Sequence, residues 1–295
     1  MTTLIDSHNH PHQARYSRGF ALVLISAISY GTQPFFAAYG FAAGADPVGL
    51  LLSRFVLASL MLGGWLWLRR TPLPPLSQAG PALLVGVGYA GAGLGYYSAS
   101  QSSSVSLAVI LMFSFPAFVI LFSLLFLRTP TTPTRLLALV LALGGVALAS
   151  GLELQGDIHG IGWALFAALS YGAAILYGTH KLPREGSLTS AALIMLGCTL
   201  TFSVAALWQT PSLPHTAQGW TAIAGLALFA TILPVAAFIS GAASIGASDA
   251  STLSTLEPVV AVTVAISVLG ENLSTPMLLG GALVISASIL LARAR

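Results

Sequence analysis

Long apolar segments, separated by short polar or proline-containing pieces, run through almost the whole chain. Ten of them lie near residues 20–40, 48–68, 81–99, 104–127, 135–151, 160–179, 189–207, 219–239, 250–269 and 275–292. Each approaches the roughly 20 residues with which a helix crosses the hydrocarbon core of a bilayer. Because a backbone inside lipid must satisfy its own hydrogen bonds, runs of this length are expected to be helices. The pattern predicts an all-α membrane protein with ten transmembrane helices.

The composition restricts the class of protein further. Of the 295 residues, 56% are hydrophobic and 6% are charged, whereas a soluble domain carries roughly 25% charged residues. So few charges cannot cover a water-facing surface, and the formal charge of +3 implies no nucleic-acid partner. Cys198 is the single cysteine, which excludes an internal disulfide and a cysteine-rich metal site. No cleavable signal is evident, so a first helix from Phe20 onward is expected to be retained.

The basic residues predict the orientation in the membrane. With the N-terminus inside, ten of the eleven lysines and arginines fall in inner segments and the outer loops carry none. The exception is Arg54, which lies within a predicted span. Since lysine and arginine favour cytoplasmic loops, both termini are predicted to be cytoplasmic, and the chain to be a multi-pass protein of a bacterial inner membrane.

A short polar motif occurs twice along the chain. Ser-Tyr-Gly stands in ISYGTQPFF at 28–36 and again in LSYGAAILY at 169–177, a shift of 141 positions, and Pro116 matches Pro258 at a shift of 142. Each copy then holds five spans, so the second enters the membrane from the opposite side. Such inverted repeats are typical of secondary transporters, whose sites lie between the halves near helix interruptions. The predicted organisation is a polar cytoplasmic tail (1–18) and two five-helix repeats (19–151 and 160–295).

Further motifs carry a resemblance to a known family. They are LLSRFVLA around Arg54, STLEPVVA around Glu257, and LGENLSTPMLLGGALVI after it. With them the chain resembles the drug/metabolite transporter superfamily, more narrowly its EamA branch, and within it bacterial exporters of aromatic and other amino acids. The resemblance covers roughly Gly19 to Arg295 and implies a carrier that moves small metabolites outward through a central cavity. One departure is that the Gly-Glu often found after the fourth span is replaced here by Arg128-Thr129.

Polar and aromatic side chains recur on one face of several predicted helices. The set comprises Tyr30, Gln33, Tyr89, Tyr96, Trp163, Tyr177, Ser251 and Ser254. Because a polar face gains nothing from contact with lipid, we expect these side chains to line a substrate cavity. The alternative is that they hydrogen-bond or pack between helices. Pro34, Pro116 and Pro258 are predicted to interrupt their helices beside this cavity.

Two charged residues, Arg54 and Glu257, lie within predicted spans, where ionisable groups are functional candidates. Their positions along their helices separate them by on the order of 10 Å across the membrane. We therefore predict that they act separately, in coupling or gating, and that Glu257 is the carboxylate placed to carry a coupling proton.

Other patterns point to chemistry that the rest of the chain does not support. GVGYAG at 86–91 matches a dinucleotide motif but has neither the preceding strand nor the following acidic residue. Asp6, His8 and His10 in the N-terminal tail resemble an amidohydrolase metal strand, without the further ligands of such a site. We predict no metal and no cofactor, and leave incidental metal binding by the tail open.

The sequence therefore predicts a secondary transporter, not an enzyme. It would export small metabolites, with amino acids as the favoured class, by alternating access. No phosphate-binding loop suggests that ATP drives it. The alternatives are export of nucleosides or drug-like cations and, in another class, an intramembrane enzyme, for which the spans lack a nucleophile with its base. The predicted partners are the small-molecule substrate and the lipid bilayer.

Overall fold

The computed structural model describes residues 10–72, 74–128, 132–151, 158–183 and 187–293. These residues form helices joined by turns and short loops, without a strand. The α-helices are α1 (His10–Gly31), α2 (Gln33–Ala42), α3 (Pro47–Leu68), α4 (Leu76–Ser102), α5 (Val105–Met112), α6 (Phe115–Leu127), α7 (Pro133–Gly151), α8 (Ile158–Lys181), α9 (Leu188–Ala205), α10 (Ala217–Ala227), α11 (Leu233–Ile245), α12 (Ala247–Ser254), α13 (Leu256–Ser267) and α14 (Thr275–Arg293). A π-helical segment, Leu228–Ile232, joins α10 to α11.

Eight stretches of the described helices are long and apolar enough to cross a membrane. They are Arg15–Ala42, Pro47–Leu68, Val105–Leu127, Ile158–Lys181, Leu188–Ala205, Ala217–Ile245, Asp249–Ser267 and Thr275–Arg293. Helices α4 and α7 occupy the other two predicted segments. Glycine, tyrosine and serine replace aliphatic residues along α4, and the apolar part of α7 is short. The all-helical membrane class is confirmed, while the ten crossings and the side of the termini stay predictions.

Helix α1 begins well before the predicted first span. It starts at His10, whereas the sequence placed a polar tail over residues 1–18. The candidate metal-binding residues Asp6 and His8 lie outside the described residues, and the side chains of His10 and His12 do as well. The structure therefore leaves the prediction for the tail untested.

Four of the membrane-spanning stretches contain an interruption beside a proline. Helix α1 gives way to α2 at Thr32, α5 to α6 after Met112, and α12 to α13 at Thr255. In the fourth stretch the π segment precedes Pro234. Proline causes this because it lacks an N–H and its ring clashes with the carbonyl one turn earlier. Each proline thus removes the usual helical donor to the carbonyl group one turn before it.

The two halves of the chain interlock through matching helix pairs. Helix α1 packs on α11 and α13. Under the shift of about 141, α8 is the counterpart of α1, and α4 and α6 are the counterparts of α11 and α13. Helix α8 correspondingly packs on α4 and α6. The pairs α7 with α14 and α3 with α9 join equivalent helices of the two halves. This exchange supports the proposal that the chain consists of two related repeats.

The repeated Ser-Tyr-Gly motif has a structural explanation in its glycine. A Cβ added at Gly31 would lie 3.1 Å from the carbonyl oxygen of Glu257 on α13, and one added at Gly172 would lie 3.1 Å from that of Phe115 on α6. Glycine thus lets α1 and α8 approach the backbone of the opposite half. Tyr30 and Tyr171, which precede these glycines, therefore occupy equivalent positions in the two halves.

Candidate functional site

A cavity of about 670 Å³ lies within the helical bundle, and all the α-helices except α10 contribute to its wall. This volume falls in the range of roughly 300–1,000 Å³ that small-molecule sites occupy. The wall is formed by both halves of the chain, and it includes the interruptions marked by Pro34 and Pro116. The cavity is therefore large enough for a metabolite and lies where the two repeats meet.

Most residues singled out in the sequence line this cavity. They are Tyr30, Gln33, Arg54, Tyr89, Tyr96, Ser251, Ser254 and Glu257. Pro258 is buried directly after Glu257, at the start of α13. The structure thus brings together one face each of α1, α4 and α12 with both charged residues.

Two predicted residues of α8 lie elsewhere. Trp163 and Tyr177 are absent from the cavity wall, and Trp163 is 38% exposed, with its ring packed against Phe166 at 5.8 Å. The face of α8 that does reach the cavity carries Tyr171 and Ile175. Docking on α4 sets this rotation, because Gly91 and Gly95 lie against Ser170 and the carbonyl of Trp163.

An aromatic cluster, of which the site prediction named Tyr89 alone, covers part of the wall. The ring of Tyr171 packs edge-on against those of Tyr89 and Phe115, with centroids 5.1 and 4.6 Å apart. Phe113 extends the cluster, 6.0 Å from Phe115. The sequence did contain a signal for Tyr171, because it is the repeat equivalent of Tyr30. This wall offers flat apolar faces to a ligand.

Arg54 is 6% exposed and is held by four hydrogen bonds. Its Nε donates to Thr231 Oγ1 at 2.7 Å, and its Nη1 donates to Gln33 Oε1 at 2.7 Å and to Tyr97 OH at 3.1 Å. Its Nη2 donates to the carbonyl of Ala230 at 3.0 Å, within the π segment. These acceptors are neutral, so the positive charge of Arg54 is solvated by dipoles at the cavity wall. None of these bonds goes to Glu257.

The described wall of the cavity includes residues at one end of the bundle and none near Glu271 at the other. Arg135, Pro183, Ser187 and Ala292, which lie near helix ends on the predicted inner side, belong to its wall. At the opposite end the carboxylate of Glu271 accepts hydrogen bonds from the N–H groups of Val105 and Ser106 at 2.6 and 2.9 Å, and from Ser106 Oγ at 2.6 Å. This carboxylate caps the N-terminus of α5, where negative charge is favoured.

We expect Glu271→Ala to destabilise the protein more than Asp46→Ala, measured as the unfolding temperature in detergent. Glu271 accepts three hydrogen bonds at α5, while Asp46 caps α3 through one bond from Gly49 N. Loss of a single cap costs about 1 kcal/mol, and the extra bonds link two distant segments. Equal unfolding temperatures for the two variants would show that the link adds nothing beyond an ordinary cap.

The fold and the cavity define a multi-pass helical membrane protein with an internal site for a small molecule. Comparison with known proteins gives the family: the model of the EamA-like transporter family matches residues 17–151 and again 158–293. Since the two matches span most of the chain, the protein belongs to the EamA-like transporter family, as the sequence motifs predicted.

Individual relatives agree with this assignment. The chain is 27% identical over 227 residues to a protein of Escherichia coli (strain K12) named uncharacterized inner membrane transporter YedA, covering 75% of this chain and 73% of that protein. It is 24% identical to the uncharacterized transporter YcbK of Bacillus subtilis (strain 168), covering 89% of this chain and 88% of the relative. A solved crystal structure of another protein, 17% identical, matches 96% of this chain and 98% of its own with a TM-score of 0.60, and it supports the fold alone.

Proposed function

We propose that this protein is a secondary transporter that exports small metabolites across the inner membrane. Amino acids are the favoured substrate class, and transport proceeds by alternating access between two inverted halves. The observation that carries the proposal is the cavity. Equivalent segments of the two halves form its wall, and these segments lie beside helix interruptions. Sites of this kind, between repeats and beside broken helices, are typical of secondary transporters. The inner-membrane location is supported by the name of the relative YedA.

The direction of transport is proposed from the open end of the cavity. Arg135 lies at that end, and the basic residues of the chain predict it to be cytoplasmic. An opening toward the cytoplasm admits metabolites made in the cell. Release to the other side requires a path to open at the end where Glu271 caps α5.

Amino acids are proposed because the wall combines cationic and anionic side chains with tyrosine and phenylalanine rings. Arg54 and Glu257 supply charges inside the bundle, and Arg135 supplies a further positive charge at one end of the cavity. Strongly anionic cargo such as sugar phosphates is disfavoured, since its sites usually hold several lysines or arginines. Glu257 is the carboxylate placed to carry a coupling proton. Nucleosides and drug-like cations are the alternative cargo, and an intramembrane enzyme is the alternative class.

Counterflow in proteoliposomes tests the proposal. Vesicles containing the purified protein are preloaded with one unlabelled amino acid and scored for uptake of the same labelled amino acid, with protein-free vesicles as the control. We expect saturable uptake for threonine, methionine or an aromatic amino acid, because a carrier exchanges substrate on both faces. Uptake that does not saturate would indicate a channel, and chemical conversion of the label would indicate an enzyme. Folded protein without counterflow for any amino acid would exclude this substrate class.

A further inference from the structure

The two halves present chemically different walls to the cavity at equivalent positions. The shift of 142 that matches Pro116 with Pro258 also matches Val109 with Ser251, Met112 with Ser254, Phe113 with Thr255, and Phe115 with Glu257. The eight residues of the four pairs from Val109–Ser251 to Phe115–Glu257 all line the cavity. In each of these four pairs the first half contributes an apolar side chain and the second half contributes a polar or charged one. The cavity therefore has an apolar wall on α5–α6 and a polar wall on α12–α13.

Local packing supports the equivalence of Phe115 and Glu257. Their carbonyl oxygens lie at the same 3.1 Å from the Cβ positions of Gly172 and Gly31, respectively, so α8 meets α6 as α1 meets α13. On the apolar wall the ring of Phe115 packs against Tyr171. The corresponding neighbours on the polar wall are Glu257 and Tyr30, and both line the cavity. A carboxylate thus stands where the other half has an aromatic ring.

The carboxylate of Glu257 is left open to a ligand. No hydrogen bond to it is found among the described residues, and every fully buried side-chain nitrogen or oxygen there has a partner. The oxygens of Glu257 therefore face the cavity and are not sealed inside protein. The guanidinium of Arg54 is bound to Gln33, Tyr97, Thr231 and Ala230. A ligand in the cavity can therefore supply the donor that this carboxylate lacks among the described residues.

We propose that Glu257 binds the protonated amino group of an amphipathic amine, whose apolar part lies against Phe113, Phe115 and Tyr171. The inference rests on the proposed transport function and specifies the chemistry of its cargo. The ring of Tyr30 beside Glu257 adds an aromatic surface, which attracts organic ammonium groups. Ser251, Ser254 and Thr255 continue the polar wall and suit the polar end of the same molecule. A free carboxylate on the ligand is not required by this arrangement.

The test compares two ligands that differ at the amine. L-Phenylalaninamide carries an ammonium group and an aromatic ring without a carboxylate, and N-acetyl-L-phenylalaninamide keeps the ring but has lost the charge. Binding of each to the purified full-length protein is measured by titration calorimetry in detergent. We expect phenylalaninamide to bind about tenfold more tightly or better, the difference that one charge-assisted contact provides.

Variants locate the contact. Glu257→Gln should reduce the affinity for phenylalaninamide by about tenfold and leave that for the acetylated ligand unchanged. Glu257→Asp, which keeps the charge, should retain the preference for the amine. Asp46→Asn is the matched control, because its carboxylate caps α3 away from the cavity, and it should bind as the unaltered protein does. Elution as a single species in size exclusion shows that each variant is folded.

The outcomes separate this inference from the proposed function. Equal binding of the two ligands by the unaltered protein overturns the inference, as does a folded Glu257→Gln variant that still prefers the amine. Failure of both ligands to bind overturns it as well. If the protein nevertheless shows counterflow of another metabolite, the transport function stands without this cargo. If it shows counterflow of no metabolite, the transport function fails too.

Discussion

Replacing Gly145 by leucine is expected to separate α7 from α14 and to remove most of the folded protein. A Cβ at Gly145 would lie 2.7 Å from the carbonyl oxygen of Gly280 and 2.8 Å from Cγ2 of Val284. Gly280 is constrained in return, since its own Cβ would lie 2.5 Å from the carbonyl oxygen of Gly145. Overpacking costs about 1–3 kcal/mol where the neighbouring side chains can move aside. The nearest neighbour here is a backbone carbonyl, which cannot move aside in this way, so we expect a larger cost. Helices in lipid associate through such close packing.

Gly144→Leu provides a matched control for this prediction. A Cβ at Gly144 meets nothing within 4 Å, although the residue is adjacent in sequence and the substitution is identical. The added hydrophobicity, and hence membrane insertion, is the same for both variants. The readout is the fraction that elutes as a single species from a sizing column, with the unfolding temperature of that fraction. If both variants fold alike, close contact of the two backbones is not what holds the pair together.

Arg54→Met is expected to lower the unfolding temperature and to abolish counterflow. The substitution keeps an unbranched side chain but removes the donor to Gln33, Thr231 and the carbonyl of Ala230. A buried polar group left without its partner costs about 1–3 kcal/mol, and several are released at once. These acceptors belong to α2 and to the π segment, so both interruptions lose a common anchor. The loss of transport follows because these segments form the cavity wall.

Two further variants separate the charge of Arg54 from its geometry. Arg54→Lys retains the charge, but an ammonium group cannot reach acceptors spread around a planar guanidinium. It should therefore be less stable than the unaltered protein and inactive. Arg69→Met is the control at the C-terminal end of the same helix, since Arg69 is exposed and lies over Trp65. Full stability and counterflow in Arg54→Lys would show that the charge alone suffices.

Much of the fold could be predicted because the bilayer imposes a simple rule on the chain. Apolar length predicted the helices, and the composition excluded a soluble protein. Proline marked the interruptions, since its effect on a helix is local. The start of α1 was missed because the polar residues after His10 form helix beyond the apolar run. The π segment was missed as well, because LFATI has no composition that distinguishes a wider turn from an α-helix.

The site was predictable only as far as helical periodicity reaches. Spacing along α4 and α12 identified residues that share a face, and these faces line the cavity. For α8 the same reasoning selected the face of Trp163 and Tyr177, whereas Tyr171 lies at the cavity. Periodicity groups residues but does not say which way a helix turns. That direction depends on contacts such as those of Gly88 and Gly91 with α8, which join segments far apart in sequence.

The interlocking of the halves bears on how the protein is made. Helix α1 is synthesised well before α11 and α13, on which it packs. In the same way α4 must wait for α8 and α9. During synthesis the glycine-bearing faces of the first half are therefore covered by lipid, and folding is completed only when the second half has been inserted. During biogenesis each half therefore depends on the other for its packing partners, as two subunits of a dimer do, although both halves belong to one chain.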